Sequence, residues 1–166
     1  MKILMKIKFL LVLMFSAFVF SQDLQPELIV KKIDSIAKTI DENKDLIEGI
    51  SEGEISNKKG DIKGGFSTYD LKNKSQTELY RIRDYSSTDF YYKKTYYYHN
   101  KKLIKAIIEI EDWNSKSEMQ KVYNAVYHFE NEKILKIENE NIKFSNAKSV
   151  LKAGNYFNSE FYKKEN

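Results

Sequence analysis

Tyr98-His99-Asn100-Lys101-Lys102-Leu103-Ile104-Lys105 and Phe129-Glu130-Asn131-Glu132-Lys133-Ile134-Leu135-Lys136 repeat one design at an offset of 31 residues. Each runs from an aromatic residue through a polar one to Asn, a charged residue, Lys and two branched aliphatics, the order of a strand, a two-residue turn and a return strand. Asn tolerates the positive φ that a primed turn demands, so Asn100-Lys101 and Asn131-Glu132 are read as the turns of two β-hairpins. Counting outward pairs Tyr97 with Ile104, Thr95 with Ala106, Lys93 with Ile108 and Tyr91 with Ile110, then His128 with Leu135 and Val126 with Ile137. These form the expected core face. The opposite face carries Tyr98/Leu103, Tyr96/Lys105 and Tyr92/Glu109, echoed by Phe129/Ile134, Tyr127/Lys136 and Tyr123/Glu140. It is aromatic and charged together, and is expected to be partly exposed.

The hairpins sit inside a longer run of period two. From Phe66 onward Tyr, Ile, Val, Thr and Phe dominate, and strands are predicted at 66–71, 77–85, 89–99, 102–113, 119–130 and 133–140. Every connection between them is too short for a parallel crossover, so sequential neighbours pair as an antiparallel meander of about six strands. Before the strands, Ile29, Ile33, Ile36 and Ile40 recur at helical spacing from Asp23 to between Asn43 and Gly49, with Pro26 in the first turn. The stretch SEGEISNKKGDIKGG that follows (51–65) is polar, glycine-rich and aperiodic, and reads as a loop with at most a short strand at 54–56. After the strands, Val150, Gly154, Phe157 and Phe161 share one face of a closing helix over 145–164, capped by Ser145 or Asn146. The fold class expected is α+β: N-terminal amphipathic helix, antiparallel meander, C-terminal helix.

The first 21 residues, MKILMKIKFLLVLMFSAFVFS, have the charged start, short apolar run and small terminal residue of a secretory signal peptide. The chain is therefore divided into a signal peptide at 1–21 and a single α+β domain at 22–166. Without the three signal lysines the 28 basic residues become 25 against 24 acidic ones, a net charge of about +1 with the signs interspersed. That balance makes nucleic acid an unexpected partner. Cysteine is absent, so there is no disulfide, thiolate nucleophile or lipid-modified cysteine, and no membrane anchor is expected once the signal is cleaved.

The segments Gly64-Gly65-Phe66-Ser67-Thr68-Tyr69, Tyr97-Tyr98-His99-Asn100-Lys101-Lys102-Leu103-Ile104 and Tyr127-His128-Phe129-Glu130-Asn131-Glu132-Lys133-Ile134 resemble a pattern found in small exported proteins of Bacteroidetes bacteria. Those proteins carry an N-terminal helix, a Gly-Gly then Thr-x-Tyr strand, and aromatic-Asn-Gly-Lys-Leu-Ile hairpins before a final helix. This chain has Lys101 and Glu132 where the pattern has Gly. The resemblance implies the fold and an exported, periplasmic or secreted location; it implies no activity.

Catalytic candidates are sparse. His99 falls beside a turn and reads as solvated, while His128 on the core face reads as a hydrogen-bonded structural histidine. Glu109 and Glu111 near Trp113 point the same way from a strand, as a pair of acid and base carboxylates must, but a solvent face produces the same spacing. No cofactor or metal is expected, and Gly60, Gly64 and Gly65 lack the Lys-Ser/Thr and helix of a phosphate loop. The functional expectation is a non-catalytic periplasmic binding or accessory module. Its candidate ligand surface is Tyr92, Tyr96, Tyr98, Lys105, Tyr123, Tyr127 and Lys136, and its partner an unknown protein, peptide or glycan, because tyrosine joins a stacking ring to a hydroxyl. The alternatives are an inhibitor or immunity-type protein using that face against another protein, and, less favoured, a hydrolase. A groove favours a small ligand; a flat aromatic patch favours a protein.

Overall fold

The computed structural model describes residues 25–163; the expected signal peptide lies outside the described residues. Helix α1 covers 25–42. Seven strands follow in chain order, β1 (Ile47–Ser56), β2 (Ile62–Lys72), β3 (Leu79–Ser87), β4 (Tyr91–His99), β5 (Lys102–Trp113), β6 (Met119–Glu130) and β7 (Lys133–Glu138), then helix α2 (Ala147–Lys163). The strands form one antiparallel sheet in the order β1 to β7, so each pairs with its neighbour in sequence. The expected α+β architecture is present with one strand more than predicted. That strand is β1, over residues where the sequence predicts the end of the first helix and then a loop with at most a short strand at 54–56. Its isoleucines Ile47, Ile50 and Ile55 keep no period of two, and it lies at the sheet margin, where burial imposes little pattern on the sequence.

The hairpin turns are as predicted. Asn100 and Lys101 have φ of 51° and 60°, Asn131 and Glu132 of 49° and 64°. Both central residues of each turn are left-handed, the I′ geometry whose twist matches the flanking strands, even with Lys and Glu in place of Gly. The longer loops use asparagine differently. The Asn73 side-chain oxygen accepts the backbone N–H of Thr77 at 2.9 Å and of Glu78 at 3.1 Å, and that of Asn114 accepts Lys116 at 2.8 Å and Glu118 at 3.0 Å. Each such side chain replaces backbone partners lost where the ladder ends.

Past the turns, the predicted register fails for one reason that acts twice. Tyr98 faces Leu103 but Tyr97 faces Lys105, leaving Ile104 as an extra residue on β5; Phe129 faces Ile134 but His128 faces Lys136, leaving Leu135 extra on β7. These are β-bulges, and each displaces every later pairing by one residue. Tyr96 consequently faces Ala106 rather than Lys105, and Tyr127 faces Ile137 rather than Lys136. Lys105 and Lys136 thereby leave the tyrosine face for the other side of the sheet.

Each face has its own helix. On one, Tyr96, Tyr98, Leu103, Ala106, Ile108, Ile110, Tyr123, Ala125, Tyr127 and Phe129 form the main core with Ala147 and Val150 of α2. Phe157 and Phe161 of the same helix pack against it, as their spacing predicts. Asn146 is the N-cap: its side-chain oxygen accepts the N–H of Ser149 at 3.0 Å. On the other face, Ala37 and Ile40 of α1 meet Leu71 and Tyr97 in a smaller core. The helix crosses the strands, since Asp34 reaches Lys105 and His128 on β5 and β6 whereas Asp41 reaches Arg81 and Tyr97 on β3 and β4.

Candidate functional site

The seven residues expected to form a ligand surface are divided between the two faces. Tyr92, Tyr96, Tyr98, Tyr123 and Tyr127 do share a face, but it is the one beneath α2, and Tyr96, Tyr98 and Tyr127 are 1%, 0% and 0% exposed. Their hydroxyls serve the fold. Tyr98 donates to the carbonyl of Gly154 at 2.9 Å, while those of Tyr123 and Tyr127 lie 2.9 and 2.7 Å from Ser145 Oγ. Burial pushes the hydroxyls of Tyr96, Tyr98 and Tyr127 well above the usual phenol range, so they stay protonated. The expectation of a partly exposed tyrosine face is corrected here: five of its members are packing residues.

Lys105 and Lys136 lie across the sheet. Lys136 pairs with Glu138 at 2.8 Å, and Lys105 donates to Asp34 of α1 at 2.6 Å. The same carboxylate oxygen lies 2.9 Å from Nε2 of His128, a residue 2% exposed. Burial alone raises the Asp34 pKa, but the hydrogen bonds and charges of Lys105 and His128 outweigh it and hold the carboxyl below its ordinary range. His128 is the structural histidine expected, tied to α1 rather than set beside Leu135. His99 is exposed at its turn. Glu109 and Glu111 form ion pairs with Lys121 and Lys93 respectively, so each carboxylate of the candidate acid and base pair is held by a lysine.

Beyond the row that α1 touches, the same face continues as a half-buried group of other tyrosines. Tyr85 lies edge-on to Tyr69 at 5.6 Å and stacks with Tyr91 at 6.3 Å; Arg83 sits over the Tyr69 ring and Lys93 over that of Tyr91. The cations are also taken up by Glu48 and Glu111. Both cations here already have acidic partners.

A concave feature lies on the α2 side, where the helix packs mainly on β5 and β3 and a gap separates it from the β1–β2 end of the sheet. A groove of about 710 Å³ opens between them. Its helix wall is Tyr156, Phe157, Glu160 and Phe161, and its sheet floor includes Gly49, Ser51, Thr68, Asp70, Lys72 and Ile82. The strand pairing accounts for this floor: Gly49 faces Asp70 and Asp70 faces Ile82, and Ser51 faces Thr68, so alternate residues of three strands point into one space. Asp70 and Lys72, two apart on β2, pair at 2.8 Å in the floor. Gly49 lies opposite the pair, and a Cβ there would make the Asp70 carboxylate shift from its present position. An aromatic wall over a floor with a few fixed polar groups, at this volume, is the form of a small-ligand site.

Sequence reasoning named Phe157 and Phe161 but only as core, and it missed Gly49, Thr68, Asp70, Lys72 and Tyr156. Gly49 and Gly53 were the available signal: four apart in a strand, they bare the same face. Among the described residues no group of three or more His, Asp and Glu is placed to hold a metal ion, and no helix is long and apolar enough to cross a membrane. Comparison with protein-family models, with curated proteins and with solved structures finds no match to this chain.

Proposed function

We propose that the protein is an exported, periplasmic binding module that acts without catalysis and receives a peptide or glycan in the groove between α2 and the β1–β3 end of the sheet. The observation that carries this reading is the groove itself, about 710 Å³ with three aromatic side chains of α2 facing the polar floor. Its size falls within the roughly 300–1,000 Å³ of ligand sites, and a concave seat suits a ligand better than the broad flat contact an inhibitor needs. The signal-like sequence at 1–21 and the resemblance to exported Bacteroidetes proteins support the location.

The test is to screen peptide and glycan arrays with the wild-type protein and with Ser51→Trp, which fills the groove from an open position on β1. Ligands that bind wild type and are lost on Ser51→Trp, but kept on Lys133→Ala at the far end of the sheet, support the groove. Equal retention by all three proteins overturns it.

A further inference from the structure

The edge of the sheet beside the groove narrows the class of ligand, an inference that rests on the groove reading above. β1 pairs with β2 on one side, and among the described residues no strand pairs with its other side. It spans ten residues where β7, the opposite end strand, spans six. An end strand of this length presents a row of outward N–H and C=O groups to any extended chain, and proteins usually blunt such edges.

The two faces of β1 differ in a way that selects what can pair with it. Glu48 binds Arg81 and Arg83 on the α1 side of the sheet, and Ile50, Glu52 and Glu54 follow it at alternate positions on that side. Gly49, Ser51 and Gly53 occupy the α2 side, where Gly49 and Ser51 line the groove. Between Gly49 and Glu54, one face of the strand therefore carries Ile50, Glu52 and Glu54 and the other only the short side chain of Ser51. Glu52 and Glu54 have no cationic partner among the described residues, and β1 holds no Lys or Arg. Antiparallel addition of a second copy through β1 sets glutamates against glutamates, which disfavours self-pairing, while a basic segment gains from the same row.

We infer that the ligand is an extended peptide that adds to β1 as an eighth strand, with basic side chains opposite Glu52 and Glu54 and apolar ones between them over Gly49, Ser51 and Gly53. Backbone hydrogen bonds supply the affinity common to such β-additions, and the two rows supply the pattern. The apolar residues turn toward the groove and Tyr156, whose side chain is 59% exposed.

The experiment titrates the purified protein with a capped, dye-labelled peptide of about eight residues alternating Lys with Val, read by fluorescence anisotropy. Two controls carry the same composition with the lysines in one block, or Glu in place of Lys. The alternating Lys peptide is expected to bind about tenfold or more tighter than the block peptide, and the Glu peptide not at all. Glu52→Lys/Glu54→Lys, exposed positions that leave the fold intact by circular dichroism, should weaken binding by a similar factor, and β1 amide exchange should slow in the complex. Equal affinity for alternating and block peptides, or no effect of the double substitution, overturns the inference. If array ligands still depend on the groove through Ser51→Trp while the alternating peptide fails, the peptide class falls and the groove reading stands.

Discussion

Tyr98 on β4 passes its hydroxyl under α2 to the carbonyl oxygen of Gly154, 2.9 Å away. The contact is possible because the helix carries no side chain at that point. A Cβ on Gly154 would stand 2.7 Å from Leu103 Cδ2 and 3.2 Å from the Tyr96 ring, both fully buried. Gly154 costs the helix roughly 1 kcal/mol in propensity relative to Ala, so its presence reflects this close approach. Gly154→Val should destabilise by about 1–3 kcal/mol through overpacking, and Tyr98→Phe by about 1 kcal/mol, measured by denaturant melts. A stabilised Gly154→Val would show that α2 does not lie this close.

The register corrected by the bulges makes a separate prediction. Ile108 is buried on the α2 face, whereas Lys136 is half-exposed on the other. Ile108→Ala should cost about 2–4 kcal/mol, and Lys136→Ala should leave stability nearly unchanged. Tyr127→Ser should behave as a core deletion of at least the size of Ile108→Ala, where an exposed ligand face would give a small loss. Similar small costs for all three in chemical denaturation would contradict the assignment of faces.

Acid should loosen α1 through Asp34. Its folded pKa lies below the ordinary value of about 3.9, so the ionised form is favoured by folding and its contribution is complete above that value. As pH falls through the lowered folded value the contribution disappears. Asp34→Ala leaves buried His128 Nε2 without its partner and should cost about 1–3 kcal/mol at neutral pH. The gap between wild type and variant should then shrink as pH falls below the ordinary aspartate value. A gap independent of pH, measured by urea melts across this range, would refute the ion-pair role.

Helices and turns were legible because their signals are local. Ile33, Ile36 and Ile40 at helical spacing, and Asn100 and Asn131 at the tips of two matched hairpins, define elements without reference to anything distant. The bulges at Ile104 and Leu135 were not legible, since an inserted residue changes no composition and both are ordinary strand formers. One displaced residue was enough to exchange the neighbours of every tyrosine beyond it. The covering of the tyrosine face was hidden for a related reason: Tyr96 and Tyr127 suit a wet face as well as a dry one, and the difference lies in α2, whose Gly154 and Phe157 arrive from 27 to 61 residues away. The groove depends on β1, an exposed strand whose glycines read as loop. Its floor, Gly49, Asp70 and Ile82, becomes a unit only through the pairing of three strands.

The most direct measurement is a ¹⁵N-resolved nuclear magnetic resonance titration of the protein with whichever peptide or glycan the arrays select. The largest amide shifts should fall on Gly49, Ser51, Thr68, Lys72 and Tyr156, around the groove and the β1 edge, while His128, Lys136 and the α1 residues around Asp34 stay unmoved. Shifts concentrated on α1 and β7, with the groove amides unchanged at saturation, would contradict the groove reading.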